Sequence, residues 1–207
     1  MAEYPGMTAA ATTPKGERRR AALVEAAAEL LAEGGFDAVR HRAVAERAGL
    51  PLASTTYYFD SLEELVTAAV EHHGQTELAN GRRQLEDLTT RNRGVQATVE
   101  LVLDMLLGPQ SGDPEADAEA VLLRYERLVA TGRRPYLRPL MRTLSQQLNE
   151  LLTEIFARSG TPVAKDELDR LVALVDGAVV NALIAVDPAP RAAAGRMLRT
   201  ALAETVH

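Results

Sequence analysis

Cysteine is absent from the 207 residues. Disulfides and thiolate metal sites are therefore excluded, and a reducing cytoplasm fits the chain. Aromatic residues make up only 4% of it, while Ala and Leu dominate; that mix favours helices over sheets. No apolar run reaches the ~18 residues needed to span a bilayer, and the longest, Leu171 to Val186, is interrupted by Asp176 and Asn181. No apolar stretch precedes Arg18-Arg19-Arg20, so no signal peptide is expected. There is no Gly-rich phosphate loop and no zinc-spaced His pair, and none of the four His sits beside an evident Ser or Asp partner. Neither an enzyme nor a metal or other cofactor is expected. His72 and His73 are adjacent and so point to different faces of a helix.

What is present is ordinary for a chain that buries a core: 46% hydrophobic and 25% charged residues. The net charge is −6, and residues 1–80 hold seven Lys and Arg against twelve Asp and Glu. That balance counts against a nucleic-acid partner unless the cations are gathered in one place. They are gathered, at Lys15, Arg18, Arg19 and Arg20 and at Arg40, Arg42 and Arg47.

Apolar spacing predicts about nine helices and no strand. Leu23, Ala27, Leu30 and Leu31 give one face of a helix over about 15–33, ended by Gly34-Gly35. A second helix over about 41–48 stops at Gly49, and a third over about 51–58 opens with Pro51. Asp60 or Ser61 caps a fourth, to about 88, with Glu63 and Glu64 in its first turn. The pattern breaks at 91–93, and a fifth helix covers about 95–107. Asp113-Pro114 opens a sixth and Pro135 a seventh. Thr161-Pro162 is expected to open the eighth and Asp187-Pro188 the ninth.

Helix, Gly-containing turn, helix within 18 residues is the shape of a helix-turn-helix. Ala45 supplies the small residue at the crossing and Gly49 the turn, and Val44 and Leu50 anchor the pair to Leu23, Ala27 and Leu30. The expected outward face of the second helix is Ser54, Thr55, Tyr57 and Tyr58, whose hydroxyls suit base edges and phosphates. Arg18, Arg40, His41 and Arg42 complete the candidate DNA-binding set. Each competes with a plainer role: Arg42 and the arm as solvated charge, Thr55 and Tyr58 as capping and packing groups.

The stretch GFDAVRHRAVAERAGLPLASTTYYFDSLEELV, Gly35 to Val66, resembles the TetR family of bacterial repressors, and the likeness extends over about 15–73. Three positions depart from that pattern. Arg40 stands where Thr or Ser often caps the second helix, Leu62 where a Lys often contacts phosphate, and Thr56 where a Tyr is usual. Backbone N–H groups at the fourth helix start, or Arg40, are expected to replace the missing phosphate contact.

The resemblance implies an all-α chain with a tail over 1–14, a helix-turn-helix DNA-binding domain over 15–60, and a helical effector-binding and dimerisation domain over 61–207. It also implies a homodimer, a double-stranded DNA operator, a small-molecule effector and no membrane. The eighth and ninth helices are expected to form the dimer interface, since Gly177, Ala178 and the Ala192–Gly195 run permit close approach. Candidate ligand-binding residues are Leu85, Met105, Leu106, Leu122, Tyr125, Met141, Leu144, Leu148, Asp176 and Asn181. For most of these core packing competes with ligand contact, and for Asp176 and Asn181 an internal hydrogen-bond partner does. The apolar cast points to a largely apolar effector. A helical interaction protein that keeps the fold without binding DNA is the alternative.

Overall fold

A computed structural model describes residues 13–91, 94–187 and 189–205. The expected tail up to residue 12, and the break at 92–93, lie outside the described residues. Among the described residues there are nine α-helices and one 3-10 turn, with no strand. None of these helices is long and apolar enough to cross a membrane.

The first helix, α1 (Pro14–Ala38), begins where the Thr13 hydroxyl accepts from the Gly16 N–H at 3.1 Å. It kinks at Gly34-Gly35 and resumes for one turn that carries Phe36 inward. Helices α2 (His41–Arg47) and α3 (Leu52–Tyr58) follow. Between them Gly49 sits at φ 63°, a left-handed conformation in which a side chain is strained. The Leu50 N–H bonds back to the Ala45 carbonyl and the Gly49 N–H to that of Glu46, the paired bonds that close a helix C-terminus. Helix α4 (Leu62–Arg91) is capped by Ser61, whose hydroxyl accepts from the Glu64 N–H, while the Glu64 carboxylate accepts from the Asp60 N–H. The later helices are α5 (Gly94–Leu107), α6 (Pro114–Thr131), α7 (Arg138–Arg158), α8 (Lys165–Ile184) and α9 (Pro190–Thr205). A 3-10 turn at Pro135–Leu137 precedes α7.

The chain forms two compact units. The first runs through Gly74 and takes in Val129–Leu140 as well. Its core gathers Leu23, Ala27 and Leu31 of α1, Val44 of α2, Phe59, and Leu65, Val66 and Ala69 of α4. Full burial of Phe59 contributes about 2–3 kcal/mol. Tyr136 packs on this cluster, and the Arg134 guanidinium lies 3.8 Å over the Phe36 ring.

The second unit is Gln75–Leu128 with residues from Met141 onward. In it α8 and α9 pack along each other, and α5 packs on α9. Two arginines occupy the carbonyls that the end of α5 leaves open. Arg124 donates to Leu106 and Met105 (2.9 and 3.1 Å) and pairs with Glu77. The buried Arg191 donates to the Gly108 carbonyl (2.7 Å) and pairs with Asp104. Burial holds the Asp104 carboxyl above its usual range although Arg191 pulls the other way. A Cβ on Gly81 of α4 would meet the end of the Met105 side chain of α5, which would have to shift.

Helices α8 and α9 start later than their Thr-Pro and Asp-Pro signals predict. Thr161 is occupied in ending α7: its N–H bonds to the Phe156 carbonyl, and that of Gly160 to Ala157. Helix α8 then begins at Lys165, with Asp166 and Glu167 in its first turn. Asp187 closes α8 in the same way through the Ala182 carbonyl, and α9 begins at Pro190. The residue that must turn left-handed at the end of α8 is Val186, at φ 53°. A β-branched side chain is strained there by about 1–2 kcal/mol. Val186→Asn should therefore raise the stability of the chain by about 1 kcal/mol, since Asn tolerates that conformation; an unchanged or lower denaturation midpoint in urea would contradict it.

Candidate nucleic-acid interface

The cap at Thr13 fixes the first turn of α1, and with it Lys15 and Arg19. These two cations form one wall of a cleft of about 390 Å³, and Ala53, Ser54, Tyr57 and Tyr58 of α3 form the other. Gly16, buried, and Thr13 also line it. The Tyr57 and Tyr58 rings stand edge to face, centroids 4.9 Å apart. Two cations opposite a hydroxyl and two phenols make a site chemically suited to a phosphate.

The expected cations divide by role. Arg18 and Arg42 are exposed, and Arg42 makes no ion pair among the described residues. Arg18 donates to the Pro14 carbonyl, and Arg20 lies 4.9 Å over the Phe59 ring. Arg40 precedes α2 without capping it; its Nε donates instead to the Asp37 carbonyl. Arg47 is bidentate to Glu33 (2.9 and 2.7 Å) and reaches Glu29 at 3.1 Å. The bond from Arg47 holds the Glu33 carboxyl below its usual range, so this arginine is committed within the fold. His41, the first residue of α2, is half-buried, and its Nδ1 is closed off from solvent without a hydrogen-bond partner.

On α3 the structure corrects the expected face. Thr55 is fully buried, at 0% exposure, and its hydroxyl donates to the Leu52 carbonyl at 2.8 Å. It offers no surface to a partner. A threonine can be buried in this way because its own backbone satisfies its one donor. Ser54 and Tyr58 are half-buried, and Tyr58 packs on the core cluster while it lines the cleft. Tyr57 is exposed, as expected. The residues missed are Leu52, Ala53 and Thr56, all exposed. A helical projection from Pro51 would have found them, since Thr55 and Phe59 lie four apart on the inward side.

At the start of α4 the N–H groups of Asp60 and Glu64 are taken by the Glu64 carboxylate and the Ser61 hydroxyl, and Glu63 and Glu64 put acidic side chains in that turn.

The candidate ligand residues scatter. Leu85, Met105, Leu106 and Leu144 are buried, and Tyr125, Met141 and Leu148 are half-buried. Leu122, Asp176 and Asn181 are exposed on this chain, so they face away from its interior. Tyr125 of α6 and Asp176 of α8 meet: the phenol donates to the carboxylate at 2.7 Å. Burial, then that bond, lifts the Tyr125 ionisation above its usual range.

Comparison with known proteins matches this architecture in both halves. Residues 23–69 match the family described as bacterial regulatory proteins of the tetR family. Residues 93–204, more than half of the chain, match the tetracyclin repressor-like C-terminal domain. Among curated proteins none matches the chain closely enough to count as a relative. Among solved structures, the multidrug binding protein EbrR complexed with proflavin is 28% identical, with a TM-score of 0.62 over 88% of this chain and 99% of that one. The Streptomyces coelicolor A3 TetR-family protein SCO1917 is 26% identical, with a TM-score of 0.59 over 88% and 97%. A putative transcriptional regulator from Saccharomonospora viridis in complex with choline shares the fold at 19% identity, with a TM-score of 0.65 over 89% and 95%. A helix-turn-helix with a cationic cleft at its recognition helix, followed by a helical domain of matching sequence, places the chain in the TetR family of transcriptional regulators.

Proposed function

We propose that the chain is a repressor that binds a near-palindromic operator as a homodimer and is released by a small, largely apolar effector. The observation that carries the DNA reading is the cleft of Lys15 and Arg19 against Ser54, Tyr57 and Tyr58, beside the exposed side of α3. A phosphate held in the cleft would set the register, and the first turn of α3 would then meet base edges. Two such helices in a dimer would enter successive major grooves ~34–36 Å apart.

The dimer reading rests on α8 and α9. Val180, Ile184 and Met197 are exposed apolar residues, with Ile184 at 76%. Gly177 lies on the same side of α8 as Val180 and Ile184, and a Cβ there would meet nothing. An apolar surface of this kind is ordinarily covered by a partner, and a second copy offers the same surface to it.

The effector reading draws on relatives and on one pair of residues. EbrR has been crystallised with proflavin, ethidium and malachite green, all aromatic cations. In this chain Asp176 makes no ion pair among the described residues and lies against the half-buried Tyr125. A carboxylate and a phenol ring together suit an aromatic cation. Binding would shift the dimer toward a spacing that no longer fits DNA.

Three outcomes follow. A duplex carrying the near-palindrome from the intergenic region beside this gene should be retarded at low salt, and Lys15→Ala/Arg19→Ala should reduce the slope of log K against log salt by about 2; an unchanged slope removes both residues from the contact. Ile184→Glu should sediment as a monomer at micromolar concentration and lose retardation of the duplex, and a wild-type chain that is itself monomeric would rule out the dimer. Proflavin, followed by its fluorescence, should bind the wild type and bind Asp176→Asn about tenfold more weakly, the effect of ~1.4 kcal/mol; equal affinities would detach Asp176 from the effector.

A further inference from the structure

The first turn of α3 is short of polar groups on its outward side. Successive residues of a helix turn by about 100°. Leu52, Thr56, Ala53 and Tyr57 therefore fall on one arc, and Ser54, Tyr58 and Thr55 on the other. Exposure follows this division: Leu52 is 53% exposed and Tyr57 48%, while Thr55 is closed off. Leu52 and Ala53 carry no polar side-chain atom. The Thr56 hydroxyl donates to the Ala53 carbonyl at 3.3 Å, which commits its one proton. The first turn of the recognition helix thus presents apolar surface where base-reading donors would be expected. A single exposed leucine is ordinary on a protein surface. This one is the first residue of the helix and stands next to Ala53, a wall of the cationic cleft.

The major groove offers one bulky apolar group, the C5-methyl of thymine, where cytosine has only a hydrogen; the groups beside it are hydrogen-bond donors and acceptors. Leucine laid on those edges would strip their water and return no hydrogen bond. Laid on a thymine methyl it buries apolar surface instead. We infer that Leu52 and Ala53 read thymine methyl groups, so that each operator half-site carries thymine beneath the first turn of α3. Arg42 of α2 is exposed and makes no ion pair among the described residues, and Tyr57 on the same arc of α3 is exposed; both remain open to polar contacts. The inference rests on the reading of this chain as a DNA-binding dimer, and it adds which chemical group on the DNA is recognised.

The test uses the full chain and a randomised duplex pool. Sequences that the protein retains are selected, and each thymine of the resulting half-site is then replaced by deoxyuridine, which lacks only the methyl. At the thymines beneath α3 the affinity should fall about fourfold per methyl, as expected for one buried methyl group. Where a thymine has been changed to cytosine, 5-methylcytosine should bind better than cytosine. Leu52→Ala, at an exposed position, should fold, bind more weakly and lose the distinction between thymine and deoxyuridine at the thymine beneath residue 52, while keeping it beneath Ala53. A clear selected motif that is indifferent to deoxyuridine at every thymine would overturn the methyl reading and leave DNA binding standing, as would a methyl sensitivity that Leu52→Ala leaves unchanged at every thymine. A folded, dimeric protein that enriches no motif would overturn the DNA-binding reading itself, and this inference with it.

Discussion

Burial of Thr55 and Phe59 in the first unit sets the rotation of α3 about its own axis. Everything that helix offers to a partner follows from this setting. Phe59 supplies the apolar surface, and Thr55 goes in because its hydroxyl is satisfied by the Leu52 carbonyl. Left unpaired, that buried group would cost about 1–3 kcal/mol. With these two residues inward, Tyr58 is drawn half into the core and Tyr57 is left outside. The tight turn at Gly49 then fixes where α3 begins, so Leu52 and Ala53 lead it. A helix rotated by one position would present a different set of side chains on the same scaffold.

The net charge of −6 hides how the cations are used. Several arginines work within the fold. Arg20 covers Phe59, Arg134 covers Phe36, and Arg47 ties α2 to α1 through Glu29 and Glu33. Arg124 and Arg191 close the end of α5. What remains toward solvent in the first unit includes Lys15 and Arg19, which face α3, with Arg18 and Arg42. Exposed charges are screened beyond ~8–10 Å in physiological salt. A local group of cations therefore acts on a phosphate at close range whatever the sum over the chain.

Much of the fold was legible because the signals were local. Gly49, Ser61 with Glu64, and Asp113-Pro114 each govern a backbone event within a few residues, and each is found where the sequence puts it, while Gly34-Gly35 breaks α1 with a kink where the sequence put its end. The starts of α8 and α9 were misread because the N–H groups of Thr161 and Asp187 end the preceding helices, although the Asp187 carboxylate also accepts from the Ala189 N–H just before α9. A cap signal does not say which helix it serves. The acids Asp166 and Glu167 were the better marker for α8. The outward side of α3 was misread for a related reason. Hydroxyl residues were assigned to the surface by type, whereas the helical period and the position of Phe59 decide which of them are buried. The exposure of Asp176 and Asn181 depends on how separate helices pack, and no single stretch of sequence carries that information.

The corner Val129–Leu140 belongs to the same compact unit as the helix-turn-helix, although more than fifty residues separate it from Gly74. Tyr136 and Arg134 lie on the side chains that α1 and α4 bury or half-bury. The unit is therefore discontinuous along the chain, and its completion is tied to the order of synthesis. As the chain leaves the ribosome, α1 to α4 emerge first, before the corner that packs on their shared core. Until that segment has been made, the surface it will cover stays open to water, and a fragment cut after α4 would lack the cover altogether.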